Sequence, residues 1–303
     1  MQRVTFDPGL TQKFSGPVRR IINRDGSFNV RRRGGTWRDF HPYLYLINMR
    51  WLPFLATVFL AYLVANVLFA AGFYALGSAQ LQGVDAPTPW GRFLQGFFFS
   101  SHTLTTVGYG NIFPRGTAAN FLASFESVVG VLGFAIATGL LYGRVSRPSA
   151  RIGFSPNILI APYQDGTSLQ FRVVNLRTNE LMELEATVMF MTVDPGDHEQ
   201  RARYQLLRLE REKVTFFPLT WTVVHPIDRD SPLFGLTAAD LERLQAEILI
   251  LLKGYDDSFN QNVLARYSYR HDELVWNRRF APAFYVDPKG DLILDVGKVG
   301  DIA

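Results

Sequence analysis

The chain contains no cysteine, which excludes disulfides and thiolate metal sites. Its five histidines, His41, His102, His198, His225 and His271, show no HExxH spacing. There is no G-x-S-x-G and no phosphate-binding glycine loop, and Gly108-Tyr109-Gly110 lacks the third glycine of a dinucleotide fingerprint. No enzyme chemistry is indicated, no cofactor is called for and no nucleic-acid partner is expected. An arginine-rich spanning helix is missing, which argues against a voltage sensor. Internal repeats and low-complexity tracts are missing too.

Charge is absent where it matters most. The composition is ordinary, at 48% hydrophobic and 19% charged, but Leu52–Leu76 carries no charge at all. A second stretch, Thr117–Tyr142, carries only Glu126. Each is long enough to cross a bilayer core, which needs about 20 apolar residues. The first begins about 50 residues in, behind a basic segment, too late and too long for a cleaved signal peptide. Arg19, Arg20, Arg24, Arg31, Arg32, Arg33, Arg38 and Arg50 precede it, against Asp7, Asp25 and Asp39. Between the stretches only Arg92 and Arg115 are basic, and Arg144, Arg147 and Arg151 follow the second. The positive-inside rule puts both termini of a multi-pass membrane protein in the cytoplasm and the 77–116 connection outside.

The texture around the spans sets the organisation. Residues 1–35 read as a cytoplasmic N-terminal segment. Over 36–48, Trp37, Phe40, Leu44 and Ile47 recur at helical spacing, which predicts an amphipathic helix in the interface, short or kinked because of Pro42. A pore domain over 50–145 holds spans at about 52–76 and 117–143 and an apolar segment at about 92–105. That segment is too short to cross the membrane and suits a re-entrant helix. Over 150–303 short alternating runs separated by turns predict an all-β sandwich. Asn157–Ala161 and Leu169–Val174 flank Asp165-Gly166, and Phe284–Val286 and Leu292–Leu294 flank Asp287–Gly290. Thr237 to Gln245 is the one helix there, with Thr237 as N-cap.

Directly after the re-entrant segment comes Thr106-Val107-Gly108-Tyr109-Gly110. To be selected, a potassium ion must shed water, so a site must offer oxygens that replace the hydration shell. Rings of backbone carbonyls from four symmetric loops do this. Gly108 and Gly110 permit backbone conformations that strain other residues, Thr106 can add its hydroxyl, and Val107 and Tyr109 face away toward the pore helix. K+ is then the only metal bound, through filter backbone, and one loop per chain implies several copies. A membrane receptor or scaffold would leave this motif without purpose. A two-span channel gated by nucleotide or Ca2+ would bring a βαβ pattern that is missing.

Further residues carry a resemblance. Phe154-Ser155, Asn175-Leu176-Arg177, His225-Pro226-Ile227-Asp228, Asp230-Ser231-Pro232-Leu233 and Ala265-Arg266-Tyr267-Ser268-Tyr269, with the filter motif, make the chain similar to the bacterial branch of the inward-rectifier potassium channel (Kir) family. The resemblance runs from about Trp37 to Ala303. It implies a two-span α-helical pore module, an immunoglobulin-like cytoplasmic β-sandwich, a homotetramer and a pore extended into the cytoplasm.

Position by position, it implies that Gly130 is the inner-helix hinge and Tyr142 the gate at the bundle crossing. Arg144 and Arg147 would meet anionic lipid headgroups, as a basic cluster beside a span also does on electrostatic grounds. Phe134 stands at the inner-cavity rectification position. An apolar ring there attracts Mg2+ and polyamines poorly, although these and Ba2+ remain expected blockers. His102 and Glu126 would support the filter, His102 standing where many members have Glu. Glu183 matches an acidic position of the cytoplasmic pore, Lys253 opposes it, and Tyr255, Asp256 and Asp257 fall in its constriction loop.

Overall fold

The computed structural model describes residues 8–10, 20–31, 33–34, 36, 40–146, 151–193 and 202–303. Two compact units emerge: residues 34–147, and residues 1–33 together with 148–303.

The first unit is helical. Helix α1 (Pro42–Asn48) starts at a proline, with His41 as an extended N-cap. It is shorter than the 36–48 expected from periodicity, and residues 40 and 41 lie outside it. Proline's fixed φ suits a first helical position, and its ring disfavours helix in the residue before it. Helix α2 (Trp51–Leu76) is apolar on every face and stops at Gly77, whose φ of 90° is open to glycine. Strand β1 (Leu81–Gln82) pairs antiparallel with β2 (Phe113–Pro114). Helix α3 (Pro89–Leu104) lies between these strands in sequence. Its N-cap Thr88 accepts a hydrogen bond from the Gly91 amide at 3.0 Å. Helix α4 (Thr117–Val145) follows Gly116.

At 1.5 Å per residue α2 and α4 measure about 39 and 44 Å, more than the roughly 30 Å of a hydrocarbon core. The core helix of a soluble protein is mostly buried. Here only 17% and 11% of the apolar windows of α2 and α4 are buried. Leu52, Phe59, Leu68 and Phe121 stand exposed, so these faces meet lipid or other copies of the chain. The chain is a membrane protein. Helix α3 packs between α2 and α4: Phe99 meets Phe73 edge-on at 4.9 Å, and both join Leu81, Ile112 and Ala123 in a small core.

The second unit is a β-sandwich of immunoglobulin type. Its strands are β3 (Ile152–Phe154), β4 (Ile158–Tyr163), β5 (Gly166–Asn175), β6 (Leu181–Val193), β7 (Ala202–Leu206), β8 (Lys213–Phe216), β9 (Thr220–Ile227), β10 (Glu247–Asp256), β11 (Gln261–Arg270), β12 (Leu274–Trp276), β13 (Phe284–Val286) and β14 (Leu292–Leu294). One sheet runs β11-β10-β6-β7 with β8 also on β6; the other runs β12-β4-β5-β3 with β9 also on β5. Alternate residues point inward, so Leu184, Ala186, Val188, Ile248, Ile250 and Leu252 meet Ile158, Leu169, Phe171 and Val173 in one core. Short helix α5 (Ala238–Arg243) carries a full capping box between Thr237 and Asp240.

Residues 20–24, well before α1, belong to this unit. Ile21 and Ile22 are buried with Met191, Tyr204 and Leu249. Arg20 and Arg24 both reach Glu273, at 2.5 and 2.6 Å. The Ile21 amide donates to the buried Glu247 carboxylate.

Candidate functional site: the Thr106–Gly110 loop and its supports

The loop leaves α3 with its first three amides already spent. The Thr106 amide donates to the Thr103 carbonyl at 3.0 Å, and the Val107 and Gly108 amides both donate to the His102 carbonyl at 2.8 and 3.2 Å. No hydrogen bond among the described residues ends on the carbonyls of 106–110. Backbone hand alternates: φ is 61° at Thr106, 53° at Gly108 and 79° at Gly110, while Val107 and Tyr109 stay outside the left-handed region. Alternating hand turns successive carbonyls toward one side and amides toward the other. A row of unshared carbonyl oxygens on one side can coordinate a bare cation.

Residue choice follows from this backbone. An added Cβ at Gly108 or Gly110 meets nothing within 4 Å, so conformation, not space, requires glycine there. Thr106 is a β-branched residue held left-handed, a state costing about 1–3 kcal/mol that persists only where its surroundings enforce it. Threonine at this position carries no sequence signal for a third left-handed residue.

The supports lie on α3 and α4. The His102 ring meets the Tyr109 ring edge-on at 4.7 Å. Glu126 is buried, and the Ser100 hydroxyl donates to its Oε1; Oε2 has no partner among the described residues. The next residue, Ser101, shares a 2.6 Å hydrogen bond with the Tyr62 hydroxyl of α2. Two adjacent serines thus tie the end of α3 to both long helices. Sequence reasoning missed Ser100, Ser101 and Tyr62, although paired hydroxyls in an otherwise apolar re-entrant segment were a usable signal.

Gly130 of α4 packs directly on the end of α3. A Cβ there falls 2.9 Å from the Leu104 carbonyl carbon and Cα, and closer still to its oxygen. Phe134 and Tyr142 are exposed, at 77% and 73%. Arg144 has partners other than the expected headgroup. Its Nη1 donates to the Leu46 and Ile47 carbonyls at 2.6 and 2.8 Å, and its Nη2 to that of Met49 at 2.6 Å. Its guanidinium lies 4.8 Å from the Trp51 ring centroid and 4.5 Å from that of Phe54. It satisfies the carbonyls at the end of α1, which every helix terminus leaves open. Arg147 lies outside the described residues.

In the β domain the expected acidic loop resolves into different roles. Asp256 is fully buried: its Oδ1 accepts the Ser258 and Phe259 amides and its Oδ2 accepts from Asn179. It therefore caps a turn and presents no charge to a pore; the sequence could not separate this from an exposed acid. Asp257 is exposed, and the Tyr255 hydroxyl donates to Asn260. Glu183 sits in a bulge opposite Gly254, with φ 52°, and pairs with Lys213 at 3.1 Å. Lys253 is exposed on β10. Among the described residues no three His, Asp or Glu side chains cluster as a metal site.

Comparisons with known proteins agree in both halves of the chain. Residues 152–302 match the model of the inward rectifier potassium channel C-terminal domain, and residues 58–147 match an ion channel model. The chain is 36% identical over 300 residues to inward rectifier potassium channel Kirbac3.1 of Paramagnetospirillum magnetotacticum, covering 97% of this chain and 100% of that one. It is 28% identical to ATP-sensitive inward rectifier potassium channel 12 of Gallus gallus, covering 93% of this chain and 73% of that one. It is likewise 28% identical to human inward rectifier potassium channel 18, covering 79% and 59%.

Proposed function

Because the chain belongs to the inward rectifier potassium channel family, we propose that four copies line one pore with their Thr106–Gly110 loops. The function is passive conduction of K+, and no reaction is catalysed. The observation that supports the assembly best is the alternating backbone hand with unshared carbonyls at 106–110. One chain presents a single row of oxygens, whereas an ion stripped of water needs a ring of them. Four copies supply it. His102 and Glu126 hold the filter from behind.

Gating acts on α4. Tyr142 forms the hydrophobic constriction, which closes by excluding water. Gly130 anchors the outer half of α4 on α3, and the helix hinges from that point. Phe134 gives the cavity an apolar ring, so Mg2+ and polyamines block weakly, while Ba2+ blocks in the filter itself. Glu183, Lys253, Tyr255 and Asp257 line a pore segment within the assembled β domains. Excess arginine before α2 and after α4 supports placing both termini in the cytoplasm, with the protein in the inner membrane. Anionic headgroups act at Arg147, with Arg144 holding α1 in place beside it.

Flux from liposomes tests this reading. The purified chain in vesicles should pass K+ and exclude Na+, and Ba2+ should stop the flux. Equal K+ and Na+ flux would remove the filter from the account.

A further inference from the structure

At the end of the membrane unit away from α1, the last turn of α2, strand β1 and the start of α3 enclose a pocket of about 220 Å3. Phe73, Tyr74, Gly77, Leu81, Val84 and Arg92 line it. The lining residues are aromatic, aliphatic or glycine apart from one cation, and polar atoms make up more of the surface they show than apolar ones. The Nε of Arg92 is buried and without a partner among the described residues. Neither hydrogen bond nor ion pair joins its guanidinium to any described residue. The other charges on this connection, Asp85 and Arg115, are exposed, and Asp85 does not bridge to Arg92. A buried donor without an acceptor is a standing cost that an incoming acceptor removes. Arginine is also scarce at this end, where the distribution of basic residues disfavours it.

We propose that this pocket binds the phosphate of an anionic phospholipid, with the Arg92 guanidinium as the fork that holds it. A guanidinium presents two parallel N–H groups to phosphate oxygens and never loses its charge. Pockets for whole drug-sized ligands begin at about 300 Å3; this one is smaller and suits a headgroup. A free phosphate offers the same oxygens, but the surroundings favour lipid. The pocket lies at the end of α2, which crosses the bilayer, beside the start of the re-entrant α3, and its mixed polar and apolar lining suits a headgroup and its glycerol. Trp90 stacks on Phe93 at 5.7 Å, and Tyr74 meets Phe93 edge-on at 6.4 Å. Such aromatic groups settle at headgroup level. The site is separate from the headgroup contact proposed for Arg147, so only the Arg92-dependent fraction of bound lipid bears on it.

The test counts lipids retained by the full-length protein. The protein in detergent is titrated with phosphatidylglycerol and bound lipid is measured by native mass spectrometry, for the wild type, Arg92→Gln and Arg92→Lys. Losing one charge-assisted contact should weaken the Arg92-dependent binding about tenfold, with Arg92→Lys between the two. Phosphatidylcholine should show no dependence on Arg92, and millimolar inorganic phosphate should displace nothing. Equal phosphatidylglycerol retention by the wild type and Arg92→Gln would overturn the proposal. Displacement by inorganic phosphate would overturn its lipid source. A second measurement leaves Arg92 intact. Phosphatidylglycerol with brominated chains should quench a part of the fluorescence that Trp90→Phe lacks, and equal quenching by brominated phosphatidylcholine would overturn the proposal.

Discussion

Replacing Gly130 by alanine sets a methyl group 2.9 Å from the carbonyl carbon and Cα of Leu104. Carbon atoms rest at about 3.5–4.0 Å, so α4 and the end of α3 must separate by up to about 1 Å. Leu104 is two residues before Thr106, whose left-handed backbone depends on its turn from α3. Overpacking of this kind costs about 1–3 kcal/mol, and here part of it falls on the Thr106–Gly110 loop. Gly133, three residues along the same helix, is the control, because a Cβ there meets nothing within 4 Å. Gly133→Ala should be tolerated and should favour the helix by up to about 1 kcal/mol. The assay pairs thermal unfolding in detergent with the K+/Na+ selectivity of reconstituted channels. Gly130→Ala should lose stability and selectivity, and Gly133→Ala neither. If Gly130→Ala changes only the fraction of time open, with selectivity and stability intact, the glycine serves bending alone and the packing argument fails.

Ser100→Ala leaves the buried Glu126 carboxyl without its hydroxyl partner and should destabilise the protein by about 1–3 kcal/mol. Glu126→Gln keeps an acceptor for Ser100 and should cost less, both read by thermal unfolding alongside K+/Na+ selectivity. His225 is buried between the Arg208 carbonyl, to which Nδ1–H donates at 2.6 Å, and the Ser231 hydroxyl at 2.8 Å from Nε2. Burial pushes its imidazole below the usual value, so the unfolded chain takes up the proton more readily than the folded one. The stabilisation is present above about pH 6.5 and is lost as pH falls below it, by up to about 1.4 kcal/mol per unit. The difference in unfolding temperature between the wild type and His225→Gln should shrink from pH 7.5 to 5.5; a constant difference would refute the neutral imidazole. Phe134→Asp should strengthen block by internal spermine by an order of magnitude or more in membrane recordings. Steep block in the wild type that the variant does not increase would contradict the apolar cavity ring.

Much of the fold was legible because its signals are local. Leu52–Leu76 has no charge, Asp165-Gly166 joins β4 to β5, and Thr237 with Asp240 caps α5. The backbone of the Thr106–Gly110 loop was partly legible because glycine at two fixed positions reports it directly. What was hidden depends on partners far along the chain. Arg144 carries positive charge near a span, which pointed to lipid, yet its carbonyl partners lie 95–98 residues earlier. Asp256 looks like an exposed acid until Asn179 and the following amides close around it. The docking of residues 20–24 on Glu273 spans about 250 positions and leaves no periodic trace. Thr106 hides its left-handed backbone because threonine is a poor marker for that conformation.

The most direct test of the central claim locates the ions. Crystals or frozen grids of the assembled channel prepared in Tl+ or Rb+ should show a column of scattering peaks on the four-fold axis. Each peak should be ringed by carbonyl oxygens of Thr106, Val107, Gly108 and Tyr109 from four copies. Peaks absent from that axis, or ringed by amide groups instead of carbonyls, would contradict the account.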